Sequence, residues 1–200
     1  MVLVTKKAPD FTASAILGTG KIINNFNLKS YINNHMSIIF FWPMDFTFVC
    51  PTEIIAFDKR YSEFVKRNIK IVGVSIDSVF VHQAWKAKSL SNGGIGNIQY
   101  PMVSDLNHNI IKNYGIEHPV LHVALRGSFL IDKLGIIRHQ VINDLPIGRN
   151  IDEIIRTADA LLFHETYGKV CPAQWKNKED GIFPKHSEVI KFFSRNKEKL

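Results

Sequence analysis

Two cysteines, Cys50 and Cys171, each stand in the triplet Val-Cys-Pro, and their type and setting offer chemistry more directly than anything else in this 200-residue chain. The first ends the apolar stretch FFWPMDFTFVCPTE, residues 40–53. Pro51 suits the first turn of a helix, because its ring presets φ and its missing N–H would have no partner there. A helix starting at Pro51 puts Cys50 at or beside the N-cap, a place usually taken by Ser, Thr, Asp or Asn. The positive end of the helix dipole and the unpaired N–H groups there favour a thiolate, the reactive form of cysteine. Position alone leaves open whether Cys50 is a nucleophile or a small buried hydrophobe. Thr47, three residues earlier, has a hydroxyl within reach of a sulfur or a bound oxygen, and Pro43 stiffens the start of the same loop.

The two cysteines stand 121 positions apart (171 minus 50) in a chain composed like one soluble domain, with 46% hydrophobic and 22% charged residues. MVLVTKKAPDF lacks the apolar core of a secretory signal, and no run approaches the roughly 20 apolar residues that span a bilayer. A cytoplasmic protein with no membrane partner is therefore expected. In that reducing setting the two thiols are either inert or working, not a permanent staple. The net charge of +7 is dispersed among acids, as in DKRYSEFVKR, so no nucleic-acid partner is expected. Cys50-Pro-Thr-Glu53 has glutamate where a dithiol motif needs its second cysteine. His118 and His122 are interrupted by Pro119, and no zinc motif, Walker A loop or Gly-x-Gly-x-x-Gly fingerprint occurs. Neither a metal nor another cofactor is expected.

The elements that must position these residues follow from periodicity. MSIIFFW, residues 36–42, and IKIVGVSI, residues 69–76, read as strands buried on both faces. Between them Ile54, Phe57, Tyr61, Phe64 and Val65 carry helical spacing to about Asn68. VFVHQAWKAKS follows Asp77 and Ser78 as a capped amphipathic helix, and Gly93-Gly94-Ile95-Gly96 marks a flexible loop. Strand and helix alternate here, which implies parallel pairing with right-handed crossovers. Residues 121–131 and 135–142, joined by Asp132-Lys133-Leu134-Gly135, add an antiparallel hairpin, so the sheet is mixed. IDEIIRTADALLFHE is a further helix, predicted to cover one face of that sheet. The expected organisation is an α/β domain over 1–163 and a C-terminal arm over 164–200, carrying Cys171 and a short helix from about Ser187.

Pro43, Thr47 and Cys50 form a Pro-x-x-x-Thr-x-x-Cys pattern that resembles the signature of the peroxiredoxins, which are thiol peroxidases. The likeness runs on through APDF at 8–11, VSIDS at 74–78, YPMVSD at 100–105, RGSFLID at 126–132, DLPIGR at 144–149 and VCPA at 170–173. The resemblance implies a thioredoxin-like fold in which Cys50 attacks a peroxide and becomes a sulfenic acid. It implies that Arg126 supplies a fixed cation, that Pro43 shields the sulfur, and that Thr47 positions the peroxide. Glu53 and Arg149 match positions that orient the site; an ordinary surface ion pair is the other reading of these two.

The second VCPA resembles the typical two-cysteine subgroup. There Cys171 would resolve the sulfenic acid as a disulfide across a head-to-tail homodimer, and thioredoxin or a flavoprotein disulfide reductase would reduce that bond. The glycine loop at 93–96 resembles that of members that unwind slowly and are easily overoxidised, though Phe192-Phe193 stands where those have Tyr-Phe. Family dimers also assemble into rings, commonly decamers, which opens a second function as a holdase chaperone. Phe46 and Phe80 are candidates for the ring contact and equally credible as core.

Overall fold

The computed structural model describes residues 1–197. Seven strands form one sheet: Thr12–Ile16 (β1), Ile22–Asn27 (β2), Met36–Phe41 (β3), Ile69–Ser75 (β4), Met102–Ser104 (β5), Arg126–Ile131 (β6) and Ile137–Asn143 (β7). Their order across the sheet is β2-β1-β5-β4-β3-β6-β7. The pairs β3/β4 and β4/β5 are parallel, whereas β1/β2, β1/β5, β3/β6 and β6/β7 are antiparallel. This is the mixed sheet that the residue pattern implied, and it accords with the thioredoxin-like fold that the resemblance implied. Helices Leu28–Ile32 (α1), Cys50–Lys59 (α2), Tyr61–Lys66 (α3), Val79–Ala87 (α4), Asn109–Asn113 (α5), Ile151–Tyr167 (α6) and His186–Asn196 (α7) complete the elements.

Strand β3 is buried at every position, and its alternation sends successive aromatics to opposite faces. On one face Phe40 stacks on Phe57 of α2 with ring centroids 4.0 Å apart, and Tyr100 meets it edge-on at 5.6 Å. On the other, Phe41 lies 5.0 Å from Tyr114 and 5.9 Å from Phe129, within a cluster holding Ile39, Val72, Val74 and Val103. Gly73 of β4 makes room for the first set: a Cβ there would lie 2.7 Å from the Trp42 ring. The two central strands are thus fixed by aromatic packing on both sides.

The expected helix after Cys50 is two. Arg60, at φ −101° and ψ 7°, ends α2, and α3 restarts at Tyr61. Phe64 is buried by the restart, while Val65, expected inward, is 56% exposed. Phe46 and Phe80 are 45% and 70% exposed, which removes the core reading for both. The glycine loop is pinned: Trp85 donates its indole N–H to Gly93, and Gly94 sits where a Cβ would fall 2.1 Å from the Lys88 carbonyl. The segments β1, β2, β5, α1 and α5 carry too few apolar repeats to have stood out in the sequence.

By its contacts the chain divides into two compact units, Met1–Ile151 and Asp152–Leu200. The first contains the whole sheet. The second is built on α6, against which the segment 171–177 lies: Asn177 donates to Asp159 at 3.2 Å, and the Trp175 ring meets Phe163 at 5.0 Å. Trp175 is buried, and Val170 and Ile182 form a short bridge that folds the arm back on itself.

Candidate active site

Cys50 is the first residue of α2 and is wholly buried. Val49 precedes it as N-cap without a side-chain cap; instead its carbonyl accepts the N–H groups of Thr52 at 3.0 Å and Glu53 at 3.3 Å. Pro51 occupies the first turn, as its missing N–H allows. Glu53 follows three residues later, which on a helix places its side chain on the same face as the sulfur.

Two arginines converge on this face. Arg126 opens β6, next to β3 in the sheet, and its Nη1 reaches both Cys50 Sγ at 3.4 Å and Glu53 Oε2 at 2.8 Å. Its Nε donates to the Leu145 carbonyl at 2.6 Å, so the fork has one orientation. Arg149, in the loop beyond β7, gives Glu53 Oε1 its backbone N–H and its Nε, and Oε2 its Nη2, each at 2.8 Å. Its remaining nitrogen, Nη1, is held by the Gly127 carbonyl at 2.5 Å and Ser128 Oγ at 3.1 Å, while its guanidinium faces the Phe40 ring at 5.4 Å.

The side chains of Arg126, Glu53 and Arg149 are 4%, 2% and 1% exposed, so the surface readings of these residues give way to a buried charged triad. Burial works against the Glu53 carboxylate. Even so, hydrogen bonds and charge from Arg149, with the charge of Arg126, hold it below the usual glutamate range. One acid between two bases leaves an excess of positive charge facing the sulfur, which suits an anionic sulfur or a bound oxyanion.

Pro43 is buried, and Thr47 is half-buried. The Thr47 hydroxyl donates to the Met44 carbonyl at 2.9 Å and not to the sulfur. With its proton so used, its oxygen is left as an acceptor. Under this loop lies a polar network that sequence reasoning missed. Asp45 accepts the Trp42 indole N–H at 2.8 Å, and its other oxygen lies 2.7 Å from His82 Nδ1. The Asp45 N–H in turn donates to Asp77 Oδ2 at 2.8 Å. Burial and the neighbouring Asp45 carboxylate push Asp77 above its ordinary range. His82 lies one helical step from the buried Val79 and Trp85, the spacing that could have marked it as inward-facing.

His118 is a loop acceptor, its Nδ1 taking the N–H groups of Val120 and Leu121, and among the described residues no group of three metal-ligating side chains converges. Cys171 belongs to the other unit and is half-buried, with its thiol 3.5 Å from the Ala160 carbonyl. Burial pushes this thiol above its ordinary value, and the Arg156 charge pulls it partly back. Both cysteines are free.

Comparison with known proteins places the chain in a family. The model of the AhpC/TSA family matches residues 4–140. Alkyl hydroperoxide reductase C of Buchnera aphidicola subsp. Schizaphis graminum is 61% identical over 98% of both chains, and that of Helicobacter pylori is 49% identical over the full length of both. The crystal structure of a reduced 2-Cys peroxiredoxin from Plasmodium vivax superposes with a TM-score of 0.93 at 42% identity, covering 97% of this chain and all of that one. The family model and these relatives together show what the chain is: a member of the AhpC/TSA family, a peroxiredoxin and hence a peroxidase.

Proposed function

We propose that Cys50 is the peroxide-reducing nucleophile and Cys171 the thiol that resolves it. The observation that carries this is the single Arg126 nitrogen shared by Cys50 Sγ and Glu53. The Cys50 thiolate attacks the terminal oxygen of a hydroperoxide; the O–O bond breaks, sulfur becomes sulfenic acid, and the departing alkoxide or hydroxide takes a proton. Arg126 balances negative charge as it passes from sulfur to the leaving oxygen, with no reorganisation during the step. Thr47 Oγ1 accepts a hydrogen bond from the peroxide O–H, and Pro43 keeps water from the sulfur. Because Cys50 has no exposed surface, the side chains around it part to admit the substrate.

The sulfenic acid then condenses with the thiol of the partner subunit's Cys171, forming an S–S bond and releasing water. An external dithiol, from thioredoxin or a flavoprotein disulfide reductase, reduces that bond and restores both thiols. The substrates are hydrogen peroxide and organic hydroperoxides, the working unit is a homodimer that assembles further into a decamer, and the setting is the cytoplasm. Among the described residues no helix is long and apolar enough to cross a membrane.

The test is a non-reducing gel of reduced protein after one equivalent of hydrogen peroxide, beside Cys50→Ser and Cys171→Ser. A covalent dimer in the wild type, absent from both variants, is the expected outcome. A monomer band with both thiols still free would sink the peroxidase assignment of Cys50.

A further inference from the structure

Cys171 is held by two bonds that bracket its segment. Its thiol donates to the Ala160 carbonyl of α6, and four residues on, the Trp175 carbonyl accepts Arg156 Nη1 at 2.8 Å. Arg156 and Ala160 are themselves four apart on α6, so one stripe of the helix carries both contacts. The guanidinium is aimed by Glu153, which accepts Nε and Nη2 at 2.7 Å each. We infer that Arg156 is the positioning residue of the second thiol: it latches residues 171–175 against α6 and sets a positive charge one turn from the Ala160 carbonyl that holds Cys171 Sγ. This rests on the reading of Cys171 as the resolving cysteine.

The Ala160 carbonyl and the Arg156 charge act on the sulfur in opposite senses. The Ala160 carbonyl binds the thiol proton and so favours the neutral, parked form; the Arg156 charge favours the thiolate that attacks a sulfenic acid or leaves during reduction of the disulfide. Several other polar and charged groups on α6 and the arm have partners of their own. Glu153 is matched by Arg156, Asp159 accepts from Asn177, Lys169 pairs with Asp180 at 2.6 Å, and the His164 ring meets the Lys169 carbonyl at 2.9 Å. Among the described residues Arg156, one turn from Ala160 on the same stripe of α6, is the cation whose charge acts on the Cys171 thiol.

The test uses the full chain carrying Cys50→Ser, so that Cys171 is the one cysteine, and follows its alkylation by iodoacetamide from neutral to alkaline pH. In Arg156→Gln the midpoint should rise by roughly 0.5 to 1 unit, which is about three- to tenfold less thiolate at a fixed pH below it. Arg156→Lys, which keeps the charge and loses the fork, should recover most of that shift. A purely structural role would speed alkylation at every pH by freeing the arm, without raising the midpoint. An unchanged or lowered midpoint in Arg156→Gln therefore overturns the inference. Failure of the underlying reading shows up separately: with Cys50 intact, a Cys171→Ser chain that still forms a peroxide-dependent covalent dimer would remove Cys171 from the cycle, whatever the alkylation profile.

Discussion

The two cysteines sit in settings of opposite design. Cys50 is fully buried at the start of α2, and the arginine on its sulfur is tied to the Leu145 carbonyl and to an acid shared with a second arginine. Cys171 is half-buried; its thiol meets one carbonyl, and the segment after it is held by the Arg156 latch, the Asn177–Asp159 bond and the Trp175 ring. A nucleophile that must present charge in one geometry gains from rigid, desolvated partners. A thiol that must leave its resting place to form a bond of about 2 Å gains from contacts that are few and weak. The contrast teaches that the first site stores its energy in electrostatics and the second spends little on being held.

The largest effect that could break this contrast lies at Glu53. Replacing it by glutamine leaves two buried guanidinium groups without their anion, and such a loss costs about 3–5 kcal/mol of folding stability. Denaturant titration of Glu53→Gln reads it directly, and a change below about 1 kcal/mol would mean that the triad is not the rigid floor of the site. The same group sets a pH dependence. Because the folded carboxylate titrates below its ordinary range, its contribution is fully present above that range and is lost as pH falls through the depressed folded value. Unfolding free energy measured at successively lower pH should therefore drop in the wild type, and this component of the slope should vanish in Glu53→Gln.

Next in size is the orientation of Arg126. A lysine keeps the charge but cannot reach Cys50 Sγ, Glu53 Oε2 and the Leu145 carbonyl from one plane. Loss of one oriented donor at a site of developing charge costs on the order of 10²–10³ in rate, so the second-order rate constant of Arg126→Lys with hydrogen peroxide should fall by about that factor. Near-wild-type reactivity would show that charge alone suffices. Thr47→Val removes an acceptor of neutral character, and a fall of only about tenfold is expected by the same assay.

How far these settings could be seen in the sequence differs in a physically instructive way. Strands β3 and β4 were legible because a run buried on both faces is continuously apolar, and α4 because Ser78 caps it, accepting from the Val81 N–H at 3.3 Å. The motif from Pro43 to Cys50 was legible as a spacing. Burial of Arg126, Glu53 and Arg149 was not, since they lie 73 and 96 positions apart, and only the packing of β6 beside β3 and the return of the loop after β7 bring them together. The break at Arg60 escaped notice because the apolar period runs through it. The network of Trp42, Asp45, Asp77 and His82 gave only one hint, a histidine on the apolar stripe of α4, because each partner alone reads as an ordinary polar residue.

The smallest expected effect sharpens the comparison from the side of the arm. Asn177 donates to Asp159 at 3.2 Å, one of the contacts by which the segment after Cys171 is held to α6, and it carries no charge of its own. Asn177→Ala should weaken the hold by about 1 kcal/mol, the scale of one partly solvated hydrogen bond. If alkylation of Cys171 proceeds through the released arm, its rate in a Cys50→Ser background should rise by about fivefold, the same free energy expressed as a population, with the pH midpoint unmoved because Arg156 stays in place. A chain in which Asn177→Ala left Cys171 as slow to react as before would show that the arm is held as firmly as the nucleophile, and the division into a fixed thiol and a releasable one would fail.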